Sequence, residues 1–76
     1  MLDPVVVGCV IRDARIHKGL SQEVVSGLAD IGRTHLSAIE RGIRKPTLET
    51  FFRLSEALGR KPSDLIKEIE ARCINN

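Results

Sequence analysis

Aromatic side chains are almost missing from this sequence. It has no Trp and no Tyr, and Phe51 and Phe52 are its only two Phe residues. A core must therefore be assembled from Leu, Ile and Val. Cysteine is nearly as scarce. Cys9 and Cys73 stand far apart and form no CxxC, so free thiols in a reducing cytoplasm are a better reading than a bridge between the chain ends. Charge of one sign is not in excess: 12 Lys and Arg against 10 Asp and Glu leave a net +2, which by itself names no partner. No stretch approaches the roughly 20 apolar residues of a membrane span. The opening "MLDPVVVGCVIRD" puts Asp3 and Pro4 where a signal peptide would be positive, so export is not expected and a cytoplasmic location, with no membrane partner, is.

Catalytic and metal chemistry also lack their residues. His17 and His35 fall on different predicted helices with no Asp or Cys partner at usable spacing. Ser21, Ser37 and Ser63 are better explained as a cap, a helix surface position and a first-turn residue. Cys9, His17, His35 and Cys73 could be counted as four zinc ligands, but no two of them have ligand spacing. No glycine-rich phosphate loop is present. The expectation is no catalytic residue, no metal, no cofactor and no enzyme.

What remains is a chain of 76 residues that reads as one small domain, 1–76, burying about 60% of its unfolded surface. Asp3 and Pro4 are favoured at N-cap and N1 of a first helix, with Val7, Ile11 and Ala14 on one face, the apolar spacing continuing to Ile16 and a stop at Gly19. The run Val5 to Val7 could form a strand, but the longer helical spacing wins. Ser21 caps a second helix and Glu23 supports its first turn. Gly32 opens a third helix. Thr47 caps a fourth, with Leu48, Phe51, Leu54 and Leu58 in a stripe and a stop at Gly59. Pro62 opens a fifth, whose apolar line is Leu65, Ile66, Ile69 and Cys73. No strand pattern or internal repeat is visible, and the connections are short.

The second and third helices, about residues 21–41, have helix-turn-helix character. Their crossing needs small residues, supplied by Ser26 and Ala29. The turn needs a residue that enters the left-handed region, which Asp30 does more readily than most, and an apolar plug, Ile31. Leu36 and Ile39 turn inward, leaving Arg33, Thr34, Ser37 and Ala38 outward. Over residues 33–45, Arg33, Arg41, Arg44 and Lys45 face a single acid, Glu40. A helix end followed by a basic loop is the arrangement that enters a DNA major groove.

"GLSQE", "RTHLSAIERG", "KPTLET" and "LSEALG", together with "IRDAR" upstream, resemble in order and spacing the lambda-repressor-like helix-turn-helix family, also called the Cro/repressor or XRE type. The resemblance covers about Ile11 to Leu65. It implies an all-α, compact five-helix DNA-binding domain that binds operator DNA as a homodimer. Gln22 matches a position at the DNA edge that touches phosphate and sometimes a base, and Ser21 can offer its amide or hydroxyl to phosphate. Arg33, Thr34 and Ala38 match base-facing positions, with Ser37 beside them. Arg41, Arg44 and Lys45 match a loop along the phosphate backbone, and Arg15 matches the partner of Glu40 in a structural salt bridge. His35 either packs on the surface or touches DNA.

Three departures stand out. Position 30 is usually Gly and is Asp here, so a slightly strained turn is expected. Position 32 is usually Ser or Thr, and Gly32 has no side chain to offer phosphate. Gly27 and Leu28 replace polar helix formers, so Leu28 is either exposed or covered by something the family average lacks. Ile66, Ile69 and Cys73 either cover the core or form a two-fold dimer contact.

The expected function is that of a sequence-specific DNA-binding transcriptional regulator, similar to stand-alone restriction–modification controllers and short phage repressors. With no effector domain, regulation would come from occupancy, dimerisation and operator spacing. An antitoxin binding both double-stranded DNA and a protein toxin is the alternative.

Overall fold

Asp3 accepts a hydrogen bond from the Val5 amide at 2.9 Å, and from that cap the chain enters helix α1, Pro4–Lys18. The computed structural model describes residues 2–75. Ser21 caps α2, Gln22–Leu28, through the Val24 amide at 3.1 Å. Thr47 caps α4, Leu48–Ala57, through the Thr50 amide at 3.1 Å. Gly32 precedes α3, Arg33–Glu40, with no side chain to cap it. Pro62 begins α5, Pro62–Asn75. The described residues are thus all-α, and the valines of α1 are helical: Val6, Val7 and Val10 are buried along it. No helix among the described residues is long and apolar enough to cross a membrane.

Helix α1 packs on α3 and α5, α2 on α3 and α4, and α4 on α5. Val10, Ile11, Val25, Leu36, Ile39, Leu54 and Leu65 are fully enclosed where these faces meet. Each such side chain contributes roughly 1.5–3 kcal/mol by leaving water. Helices α1 and α3 can cross closely because residue 8 is Gly. A Cβ there would press into the Ile39 carbonyl oxygen and stand 2.7 Å from that of Glu40.

Several apolar positions lie elsewhere than their spacing suggests. Leu48 is 69% exposed: it is the first residue of α4, and its side chain leans towards the helix N-terminus, past the edge of the core. Phe51, Leu54 and Leu58 carry the stripe without it. Ile16 is exposed too, so the buried face of α1 ends at Ala14. On α5, Leu65 and Ile69 are buried, Ile66 is exposed, and Cys73 is half-buried against the core. Ile69 therefore packs into the interior of its own chain and also lines the groove beside Ile66. Cys9 and Cys73 are free thiols.

Candidate nucleic-acid interface

The turn between α2 and α3 closes with a paired hydrogen-bond pattern. The Ile31 amide reaches back to the Ser26 carbonyl at 3.0 Å and the Asp30 amide to that of Gly27 at 3.2 Å. This is the Schellman arrangement, which needs a left-handed residue at its apex. Asp30 takes that conformation at φ 56°. The same pattern ends α3, where the Ile43 amide bonds Ala38 and the Gly42 amide bonds Ile39, but there the left-handed residue is Gly42 at φ 76°. At Asp30 a residue with a Cβ thus stands in the left-handed region where glycine serves elsewhere. Ser26 and Ala29 are both buried at the α2–α3 crossing, and Ile31 packs on the core.

So held, α3 has two faces. Leu36 and Ile39 are enclosed. Arg33, Thr34 and Arg41 are exposed, while His35, Ser37 and Ala38 are half-buried. Arg41 folds back along its own helix, its Nε donating to the Ser37 carbonyl at 3.3 Å. The Ala38 carbonyl accepts from the amides of both Ile43 and Arg44. Those bonds tie the start of the basic loop to the end of α3, and Arg44 and Lys45 project from that loop into solvent.

Behind α3, Arg15 holds Glu40 in a two-pronged pair: Nε donates to Oε2 at 2.7 Å and Nη2 to Oε1 at 2.9 Å. Nη1 donates to the Leu20 carbonyl at 2.9 Å, just ahead of α2. The hydrogen bond to Glu40 raises the Arg15 pKa above its ordinary value, against the opposing effect of burial. Gln22 joins the same carboxylate, its Nε2 donating to Oε1 at 3.0 Å. The family resemblance implies the Arg15–Glu40 pairing but not this third member. Ser21 is exposed, its hydroxyl accepting the Val24 amide.

Two grooves lie elsewhere on the surface, the first apolar and the second walled largely by charged side chains, Glu49, Arg53, Glu56, Arg60 and Lys61 among them. A groove of about 300 Å³ runs between the start of α1, the basic loop, α4 and α5. The exposed side chains Leu2, Leu48 and Ile66 rim it, with Lys45 and Pro46 of the loop in its wall. On another side Leu28, 65% exposed, and Phe52, 52% exposed, line a second, larger groove. Among the described residues no group of His, Cys, Asp and Glu is placed to hold a metal ion.

Known proteins share this arrangement. A family model described as helix-turn-helix matches residues 11–65. The control protein C.BamHI of Bacillus amyloliquefaciens is 40% identical over 60 residues, covering 78% of this chain and 74% of that one. The crystal structure of the restriction–modification controller C.AhdI from Aeromonas hydrophila superposes with a TM-score of 0.81 at 35% identity, over 86% of this chain and 98% of the other. The wild-type controller C.Esp1396I superposes with a TM-score of 0.88 at 22% identity, over 100% and 99%, a likeness of fold.

Proposed function

This chain belongs to the helix-turn-helix family, and on that premise we propose that it is a sequence-specific DNA-binding transcriptional regulator of the restriction–modification controller or repressor type. The observation that carries this reading is α3 itself. It is fastened by Leu36 and Ile39 while Arg33 and Thr34 stand free at its N-terminal end. An arginine fork matches the O6 and N7 acceptors of guanine, and threonine suits a thymine methyl or a phosphate. Arg44 and Lys45, set beside that helix, neutralise phosphates and fix the register.

The regulator acts as a homodimer. Its two-fold contact is assigned to the groove rimmed by the exposed Leu2, Leu48 and Ile66, with the more deeply buried Ile69 at its floor. Lys45 shares that groove wall, so a second copy seated there sets the basic loops of both copies relative to one another. Half-sites would then fall about 34 Å apart. Selection of bound duplexes from a random library tests the whole proposal. A two-fold repeated consensus is expected, and a pool without consensus would refute it.

A second reading, an antitoxin that also holds a protein toxin, is favoured by the exposed pair Leu28 and Phe52. Co-purification with the product of an adjacent gene, abolished by Leu28→Asp, is the outcome that reading requires.

A further inference from the structure

The two phenylalanines of the chain stand side by side and are placed oppositely: Phe51 is buried in the core and Phe52 is exposed. A single exposed apolar side chain means little, but Phe52 is not single. Leu48, also exposed, lies one turn before it on α4, and residues four apart share a flank of a helix. A shallow dip lined by Leu48, Glu49 and Phe52 adjoins the pair. Leu48 also rims the apolar groove, together with Leu2 and Ile66, and the buried Val7, Phe51 and Ile69 lie beneath. Leu48 thus borders both a projecting aromatic ring and an apolar hollow. The hollow, of about 300 Å³, has room for a phenyl ring.

A knob and a hole that share one border suit a second copy of the same surface. In an isologous contact residue i meets j while j meets i, so one two-fold operation seats each Phe52 in the groove of the other copy. Leu48, between the two, then lies near the axis and meets itself. The charges agree with this seating. Glu49 accompanies the knob, and Lys45 stands in the wall of the hole, so opposite signs come together. The ion pair of Glu49 with Arg53, at 3.4 Å, is exposed on both sides and contributes little, which leaves the carboxylate available. Resting on the assignment of the groove to the two-fold contact, we infer that Phe52 is the anchor of that contact and inserts between Leu2, Leu48 and Ile66 of a second copy. An aromatic ring that fills a pocket near the centre of an interface carries a disproportionate share of its binding energy, while the residues around it chiefly exclude water.

Sedimentation equilibrium of the full chain, without DNA, tests this. Phe52→Ala removes an exposed side chain and should leave the fold intact, while the dimer dissociation constant rises at least about 30-fold, as for a principal anchor. Phe52→benzoylphenylalanine keeps an aromatic ring and makes it photoreactive. Irradiated in a mixture of isotopically light and heavy chains, it should attach to Leu2, Ile66 or their neighbours in the groove of the other copy. This second measurement decides the matter if Phe52→Ala fails to fold. Links solely within one chain, or links between chains at Leu28 and its neighbours, overturn the inference. So does an unchanged dissociation constant for Phe52→Ala. Loss of a co-purifying protein from Phe52→Ala with the dimer intact would give the ring to that partner and overturn it equally. A dimer that Ile66→Glu dissociates and Phe52→Ala does not leaves the groove contact standing and removes the anchor alone. A parent that is monomeric at the highest concentration tested removes both.

Discussion

Arg15 of the first helix and Glu40 at the end of the third are joined by two side-by-side hydrogen bonds, and the acid is the more deeply enclosed: 2% of its side chain is exposed against 13% for the arginine. The pair fixes α3 to the body of the domain. Removing one member strands the other's charge, and the cost is larger for the group with less access to water.

Arg15→Ala, which strands Glu40, should therefore destabilise more than Glu40→Ala. Both are expected to lie at about 3–5 kcal/mol, enough to unfold much of a domain whose total stability is of order 5–15 kcal/mol. Urea titrations of both variants provide the check. Midpoints within experimental error of the parent, or the reverse order, would contradict the geometry.

Two residues in unlike settings should respond to substitution in opposite directions. Gly8→Ala forces a methyl against the carbonyl oxygens of Ile39 and Glu40, and overpacking of this kind costs about 1–3 kcal/mol. Asp30→Gly relieves a left-handed residue at φ 56°, a strain of order 1 kcal/mol, and should raise the melting temperature. A lower melting temperature for Asp30→Gly would mean that its side chain contributes more than its backbone conformation costs.

Arg44→Ala and Lys45→Ala should weaken binding almost equally on cognate and random duplexes. The slope of log K against log salt should shrink by about 0.9 for each phosphate that is no longer neutralised. Fluorescence anisotropy across a salt series measures it; a slope unchanged in both variants removes them from the phosphate path.

For the dimer, Ile66→Glu should leave a folded chain that sediments as a monomer and binds its operator much more weakly. Ile69→Glu should instead unfold the chain, because that side chain is 6% exposed and a carboxylate there has no partner. A folded monomer from Ile69→Glu, or a dimer that survives both Ile66→Glu and Leu48→Glu, would relocate the interface.

Arg33→Ala should cost about 1–3 kcal/mol on the cognate site and relax preference at one base pair per half-site, expected to be a guanine. Non-specific binding should fall much less. Should a repeated selection return the parental consensus at full strength, reading would pass to His35, Ser37 or Ala38.

The sequence by itself determined where the helices begin and end. Asp3, Ser21 and Thr47 each accept an amide in the first turn of the helix they precede. The bonds that close the turns after α2 and α3 span no more than six residues. Interactions so local are written in neighbouring residues, and the inward set of α3, Leu36 and Ile39, follows from helical period alone. The Arg15–Glu40 pair was legible through resemblance rather than spacing, since nothing within one helix links residues 25 positions apart. Only the tertiary structure decided the rest. Leu48 and Ile69 each belong to an apolar line, yet one lies at the rim and the other inside, because burial depends on where a neighbouring helix ends. Gly8 looks incidental until α3 is laid across it. Gln22 could present either end of its amide to solvent, and the choice was made by a carboxylate from another helix, held in place by an arginine from a third.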